Sequence, residues 1–257
     1  MLHRRVVQSP VTEFLPVETR LRVEIQPQPD DTTCGPTCLD AIYRYYGDPL
    51  PLEQVIAEVP NFEEGGTLAV WLGAHALRRG YSAKIFTYNL QMFDPSWFAP
   101  GGPDLAERLQ AQAAVKPSAK LQLATQGYLE FIELGGEVRF QDLTKALIRK
   151  YLDRSIPILT GLSSTYLYAS PREIGDQNIA DDIRGEPAGH FVVLCGYERD
   201  SRQVMVADPY TANPHSDLHL YEINIDRVIC AILLGIVTYD ANLLIIEPKQ
   251  ARPPCPR

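Results

Sequence analysis

Positive charge is scarce in this sequence. Its 257 residues include 24 Lys and Arg against 32 Asp and Glu, so the formal net charge is -8 at pH 7. Nucleic acids and anionic membranes attract basic surfaces, which this balance does not favour. We therefore predict that neither is a partner.

Long hydrophobic runs are also missing. No window approaches the roughly 18 apolar residues that a membrane helix needs. The basic start, MLHRRVV, is not followed by the apolar segment of a secretory signal. These two absences predict no membrane insertion and a cytoplasmic location.

Cysteine is rare, and the total of 5 is odd. Without a secretory signal this number favours free thiols over a disulfide framework. Cys34 and Cys38 are close in sequence, but no second pair of Cys or His completes a four-ligand zinc site. A disulfide between them would be sterically awkward within one helical turn. We predict neither a metal nor a cofactor.

The order of the elements predicts the fold class. Helical periodicity dominates the first part, at about 39–46, 52–59, 67–79, 104–116 and 141–153. Strand patterns include LRVEIQ (21–26) and YSAKIFTY (81–88) early in the chain. Later come five apolar runs: IPILTGL, HFVVLCGY, QVMVADPY, HLYEIN and VTYDANLLIIE. Helices followed by a mostly antiparallel sheet indicate an α+β fold.

We predict one domain over 1–247, with a helical lobe at about 27–153 and a sheet lobe at about 154–247. The Pro-rich end, 248–257 with Cys255, is expected to be disordered. Cys230, in the run VICAILL, is expected to be buried in the core.

The segment QPDDTTCGPTCLDAIYRYYG (28–47) places one cysteine at the start of a helix. Thr33, or the threonine before it, is a suitable N-cap, and Pro36 is tolerated in a first turn. The helix dipole and free N–H groups at Cys34 favour the thiolate, which is the nucleophilic form. Cys38, one turn further, points to the buried side and is predicted to be structural.

The segment GHFVVLCGYERDSRQVMVADPY (189–210) predicts a β-hairpin around the polar turn ERDSR. If Tyr197 faces Gln203, then Val192 lies opposite Asp208. His190 becomes a diagonal neighbour of Asp208 on the same face. A carboxylate in this position can orient an imidazole.

Each of these residues also has a simpler explanation. Cys34 could be a small residue at a helix start, His190 a structural histidine, and Asp208 a turn former. Their combination in chain order favours a Cys-His-Asp triad. Cys195 faces away from His190 because they are separated by an odd number of residues. His75 follows an apolar helix face and is predicted to be a packed core residue.

These motifs together resemble a known family. Gln28 is followed by five residues and Cys34-Gly35-Pro36, then by Gly189-His190-Phe191 and Asp208-Pro209 on successive strands. The pattern resembles papain-like cysteine peptidases, most closely the bacteriocin-processing, double-glycine-leader peptidases, family 39 of the cysteine peptidases, here as a stand-alone domain. The resemblance implies a papain-like fold with a cleft between a helical and a sheet lobe. It also implies that the Gln28 amide joins the Cys34 N–H in an oxyanion hole. Gln26 does not match the spacing.

The leading hypothesis is therefore a cysteine peptidase that cleaves a peptide or isopeptide bond in a peptide or protein substrate. Cys34 attacks, His190 transfers the proton, Asp208 orients His190 and Gln28 stabilises the oxyanion. Two alternatives stay open. One is an acyltransferase or transpeptidase, as in phytochelatin synthase-like enzymes, and the other is a non-catalytic peptide-binding domain. The oligomeric state is not predicted.

Two insertions, 93–116 and 169–188, enlarge the predicted domain. The second is polar and acidic and ends just before His190, so it must lie near the cleft. We hypothesise that it acts as a lid or specificity loop, with a plain surface loop as the alternative.

Overall fold

The computed structural model describes residues 18–62, 66–175 and 179–249. The basic start MLHRRVV, the Pro-rich end from 250 onward and Cys255 lie outside these ranges. Within them, no helix is both long enough and apolar enough to cross a membrane.

An eight-stranded sheet forms the centre of the molecule. The strands are β1 Glu18–Arg20, β2 Tyr81–Thr87, β3 Glu137–Arg139, β4 Ile158–Ser163, β5 Glu173–Ile174, β6 Ile179–Ala180, β7 Gly189–Glu198, β8 Gln203–Ala207, β9 Leu220–Asn224 and β10 Asn242–Pro248. The order in the sheet is β3-β2-β10-β4-β7-β8-β9, with β1 paired to β7. Every pairing in this sheet is antiparallel except that of β2 with β3. The short strands β5 and β6 pair separately.

The helices cover both faces of this sheet, which confirms the α+β class. They are α1 Cys34–Tyr45, α2 Leu52–Glu58, α3 Ala69–Arg78, α4 Leu105–Val115, α5 Ala119–Glu133, α6 Lys145–Leu152, α7 Ser164–Tyr168 and α8 Ile225–Leu234. Side-chain N-caps define five of these starts, because each accepts a hydrogen bond from a first-turn N–H. These caps are Asp104, Ser118, Thr144, Ser163 and Asn224.

Two hydrophobic cores lie on opposite faces of the sheet, and β7 contributes to both. Phe191 and Val193 face the core with α1, α3 and α5, whereas Val192 and Leu194 face the core with α6 and α8. This alternation is the period of two expected for a strand that is buried on both sides. The central strand that carries His190 is therefore anchored from both faces.

The structure does not separate helices and strands at the predicted boundary between 27–153 and 154–247. β2 and β3 fall inside 27–153 but belong to the central sheet. Helix α6, from the same range, packs with α8 in the core on the far face. Long-range strand pairing, which local periodicity does not encode, is responsible for this mixing.

The predicted strand 21–26 was wrong, because regular pairing is confined to β1. The Leu21 N–H still donates to the Cys195 carbonyl at 2.7 Å, and the chain then leaves the sheet. The predicted hairpin register was wrong beside the turn, where Tyr197 faces Val204. A bulge between Leu194 and Gly196 absorbs one residue, so Val193 faces Ala207 and the predicted register holds next to the site.

Two further differences concern helices. Helix α5 was not predicted as an element, because Gly127 interrupts its pattern. A Cβ at Gly127 would lie 2.7 Å from Trp71 Nε1, so this glycine permits close helix packing. The expected burial of Cys230 was wrong, since α8 turns Val228 and Ile232 inward and leaves the Cys230 thiol exposed.

Helix α5 also supplies a test of the core beneath the site. Phe131 is fully buried and packs against Gly73 and Gly136. Phe131→Ala should lower the free energy of unfolding by about 3 to 5 kcal/mol, because it leaves a cavity. Leu123→Ala, on the exposed side of the same helix, should cost about 1 kcal/mol or less. Urea unfolding measures both, and equal losses would contradict this packing.

Candidate active site

Cys34 is the first residue of α1 and is largely buried. Thr33 occupies the N-cap position, but its side chain does not cap the helix, contrary to expectation. Its hydroxyl instead donates to the Asp30 carbonyl at 3.1 Å. Pro36 has no N–H, so the N–H groups of Cys34 and Gly35 are the first donors of the helix. The Thr33 side chain accepts no hydrogen bond from either of them.

His190 lies on β7 beside the N-terminus of α1, with only 7% of its surface exposed. Its Nε2 is 2.9 Å from Asp208 Oδ1, so Nδ1 is the ring nitrogen left for the Cys34 thiol. Cys34 lies close enough to His190 for a hydrogen bond, and its proximity raises the pKa of His190. The structure thus brings Cys34, His190 and Asp208 together in a chain of contacts.

The electrostatics favour a charged imidazole. Burial alone lowers the pKa of His190, but the negative charges of Asp208 and Cys34, with hydrogen bonds to both, outweigh it. The net effect raises the pKa of His190 from 6.5 to about 10. The raised pKa favours the protonated form of the ring next to Cys34.

Asp208 is fully buried and accepts four hydrogen bonds. Oδ1 accepts from His190 Nε2 at 2.9 Å and from the Tyr210 N–H at 3.0 Å. Oδ2 accepts from the hydroxyls of Tyr168 and Tyr221, each at 2.7 Å. Sequence reasoning missed both tyrosines, because they lie on α7 and β9, far from Asp208 along the chain.

These donors keep Asp208 ionised. Burial raises the pKa of its carboxyl group, but the charge of His190 and hydrogen bonds from His190, Tyr168 and the Tyr210 N–H lower it below the usual value. Four donors also fix the orientation of the carboxylate, so Asp208 can hold the imidazole ring in one position.

Gln28 lies on the same wall as His190. Its backbone N–H donates to the Pro209 carbonyl at 2.9 Å, which ties the segment before α1 to the residue after Asp208. Its side-chain Nε2 donates to the Asp30 carbonyl at 2.8 Å. One amide hydrogen is thus engaged within the loop, and the second remains for another acceptor.

The other cysteines and His75 have structural surroundings. Burial raises the pKa of Cys38 well above its usual value, and its sulfur donates to the Phe191 carbonyl. Burial raises the pKa of Cys195 to about 12. The buried His75 contacts Tyr43 Oη at 2.7 Å and Glu58 Oε2 at 2.9 Å, as expected for a packed core residue.

Two cavities meet at His190. The larger, about 440 Å³, is lined in part by Gln28, Tyr168 and Tyr210. The smaller, about 170 Å³, is lined by Cys34 among others. Both include Asp31, Gly189 and His190 in their walls. The larger volume is within the range of small-ligand pockets, roughly 300 to 1,000 Å³.

The insertion 169–188 borders the larger cavity, as predicted. Ala169, Ser170, Glu173 and Ala188 all contribute to its wall. Within its described ranges, 169–175 and 179–188, the short strands β5 and β6 pair with each other. Its action as a lid stays a prediction.

In the described ranges, no group of three or more His, Cys, Asp or Glu side chains could hold a metal ion.

Comparison with known families bears on this arrangement. Residues 105–224 match the model of the Peptidase_C39 like family. The chain resembles this family of peptidases. The match confirms the resemblance predicted from the sequence, and it includes His190 and Asp208 but begins after Gln28 and Cys34. A search of curated proteins found no match.

A comparison with solved structures matched three peptidases, among others. A double glycine motif protease from an AMS/PCAT transporter, in complex with its leader peptide, is 16% identical over 90% of this chain and 95% of its own, with a TM-score of 0.43. A C39-like peptidase from Bacillus anthracis is 13% identical over 91% and 99%, with a TM-score of 0.46. Xylellain, a cysteine protease from Xylella fastidiosa, is 14% identical over 92% and 88%, with a TM-score of 0.42. At these identities, the activity of this chain has to be argued from its own site.

The His190–Asp208 pair predicts a specific pH dependence of stability. The pKa of His190 is raised on folding, so its contribution is complete below pH 6.5 and is lost as the pH rises towards about 10. The pKa of Asp208 is lowered on folding, so its contribution is present above pH 3.8 and is lost at more acidic pH. The pair should therefore stabilise the protein most between pH 3.8 and pH 6.5.

His190→Gln should lower the free energy of unfolding by about 3 to 5 kcal/mol at pH 5.5, because it leaves a buried carboxylate without its cation. The loss should be smaller at pH 9. Urea unfolding of wild type and variant at both pH values measures this difference. A loss that does not change with pH would show that His190 is not charged in the folded protein.

Proposed function

We propose that the protein is a cysteine peptidase-like hydrolase that cleaves a peptide or isopeptide bond. The observation that carries this proposal is the continuous contact chain from Cys34 through His190 to Asp208, placed where two cavities meet. A nucleophile, a proton carrier and an orienting group are thus next to space for a substrate.

The proposed reaction begins with the Cys34 thiolate. Its sulfur bonds to the carbonyl carbon of the substrate, and the C=O π electrons move to the oxygen. The C–N bond then breaks, the carbonyl re-forms, and the His190 imidazolium gives its proton to the departing nitrogen. Water attacks the resulting thioester while His190 accepts a proton from it, and the C–S bond breaks to return the thiolate. Asp208 holds the His190 ring throughout.

The oxyanion formed in each addition step needs hydrogen-bond donors. We assign this role to the Cys34 N–H and to the Gln28 side-chain amide. The Thr33 side chain leaves the first N–H groups of α1 uncapped. Gln28 is tied to Pro209 and lines the larger cavity beside His190. Fixed donors of this kind stabilise developing charge at no reorganisation cost.

A peptide or protein is the substrate class we propose. The two cavities share a wall at His190, so an extended chain could occupy both while its carbonyl lies at Cys34. The transporter peptidase noted above was solved with a leader peptide. A cytoplasmic location remains part of the proposal.

Alkylation with limiting iodoacetamide tests the nucleophile. At pH 6, Cys34 should be labelled well before Cys230, although Cys230 is exposed and Cys34 is not. An ordinary exposed thiol, with a pKa of about 8.5, reacts slowly at this pH. His190→Ala should remove the advantage of Cys34. Mass spectrometry locates the label, and faster labelling of Cys230 in wild type would contradict the ion pair.

Gln28→Ala tests the oxyanion assignment. It should lower kcat by about 10² to 10³ on any peptide that the wild type cleaves, while the alkylation rate of Cys34 stays near that of wild type. Gln28→Glu should do the same, because it replaces the donor by an acceptor. Gln26→Ala is the matched control and should be nearly silent. A Gln28→Ala variant with wild-type kcat would exclude this role.

Product analysis separates hydrolysis from the alternatives. Added acceptor amines should leave the free carboxylate as the main product if the protein is a hydrolase. Amide products would instead identify an acyltransferase. Peptide binding that survives Cys34→Ala, with no turnover in wild type, would identify a peptide-binding domain.

A further inference from the structure

The wall of the smaller cavity beside Cys34 contains a carboxyl group that the proposed reaction does not use. Its wall includes Thr67, Lys120, Thr238 and Asp240 in addition to Cys34. Asp240 is 7% exposed, and its Oδ2 accepts a hydrogen bond from Thr238 Oγ1 at 2.5 Å. A carboxyl group is thus buried next to the reacting sulfur.

This carboxyl group forms no salt bridge with another described residue. Among the described residues, no Lys, Arg or His nitrogen lies within 4.0 Å of it in a salt bridge. Lys120 is nearby, but its Nζ lies 4.7 Å from the centre of the Tyr239 ring and 3.5 Å from the Thr238 carbonyl oxygen. Burial raises the pKa of Asp240 from 3.8 to about 7, against the opposing effects of Thr238, Lys120 and His190. The two nearby cations therefore do not compensate for the burial of this carboxyl group.

The surrounding residues make room for the carboxylate. A Cβ at Gly189 would collide with Asp240 Oδ2, and one at Gly161 would lie 2.9 Å from Oδ1. Gly161 is on β4, and Gly189 is on β7, where it directly precedes His190. A side chain at either position would therefore crowd the carboxylate.

The backbone on both sides of Asp240 is strained. Tyr239 has a φ of 71° and Ala241 a φ of 36°, in the left-handed region that non-glycine residues avoid. Hydrogen bonds from the Asp240 N–H to the Gly235 carbonyl and from Asn242 Nδ2 to the Asp240 carbonyl hold this turn. Strain of this kind often accompanies a functional position.

We propose that Asp240 is a specificity determinant, and that the cavity binds a basic side chain of the substrate, Lys or Arg, close to the scissile bond. This inference rests on the proposed function. The volume of about 170 Å³ exceeds a cavity of about 150 Å³ that holds a benzene ring. An ammonium or guanidinium group would supply the missing ion partner, with Thr238 fixing the carboxylate from the other side.

Peptide binding to Cys34→Ala tests the inference without turnover. A proteome-derived peptide mixture is passed over the immobilised full chain, and mass spectrometry identifies the retained peptides. Cys34→Ala should enrich peptides with Lys or Arg about tenfold more than the same chain that also carries Asp240→Asn. Cys34→Ala with Asp200→Asn is the matched control, since it removes one charge on the exposed hairpin turn, and it should retain the enrichment.

A second measurement does not depend on the folding of the Asp240 variant. Acetylation of the peptide mixture removes the lysine charge, so Lys peptides should lose their advantage on Cys34→Ala while Arg peptides keep it. Equal retention before and after acetylation, equal enrichment with Asp240→Asn, or no enrichment would each overturn the inference. Failure of the proposed function would appear separately, in the order of cysteine alkylation.

Discussion

The buried carboxylate of Asp208 is the interaction on which the site depends. It accepts hydrogen bonds from β7, α7, β9 and the loop after β8, through His190, Tyr168, Tyr221 and the Tyr210 N–H. A buried charge is tolerated only when donors and an opposite charge surround it. The requirement to satisfy Asp208 therefore determines where these four segments meet.

The rest of the site is arranged around this anchor. The Gln28 N–H bonds to Pro209, so the segment leading to α1 is fastened next to Asp208. Helix α1 then packs on the face of β7 formed by Phe191 and Val193, and Cys34 reaches the ring of His190. Because β7 is buried on both faces, small shifts of the histidine would disturb two cores at once. This provides a rigid basis for a reaction that needs close placement of sulfur and imidazole.

The two carboxyl groups near His190 have contrasting environments. Asp208 has four donors that lower its pKa, whereas Asp240 accepts a side-chain hydrogen bond from Thr238 and its pKa is raised by burial to about 7. In the function proposed above, Asp208 orients the base and Asp240 selects a substrate side chain. Environment, not residue type, separates these roles.

Much of the site could be predicted from sequence because its members carry local signals. Cys34 stands at a helix start, and His190 and Asp208 share a hairpin, so short-range rules bring them into view. The α+β class followed from the change of periodicity along the chain. Such rules did not predict the bulge at Cys195. The bulge shifts the pairing by one residue, so the predicted register applies next to the site although it is wrong beside the turn.

By itself, the sequence determined the chemistry of the candidate nucleophile, base and orienting residue, and the periodicity of the elements that carry them. Only the tertiary structure decided that Tyr168 and Tyr221 support Asp208, that β2 and β3 join the sheet, and that Asp240 enters the wall beside Cys34. The reason is physical. Backbone propensity and amphipathicity act over a few residues, whereas these contacts join segments that are at least 13 residues apart, and their geometry exists only once both cores have packed.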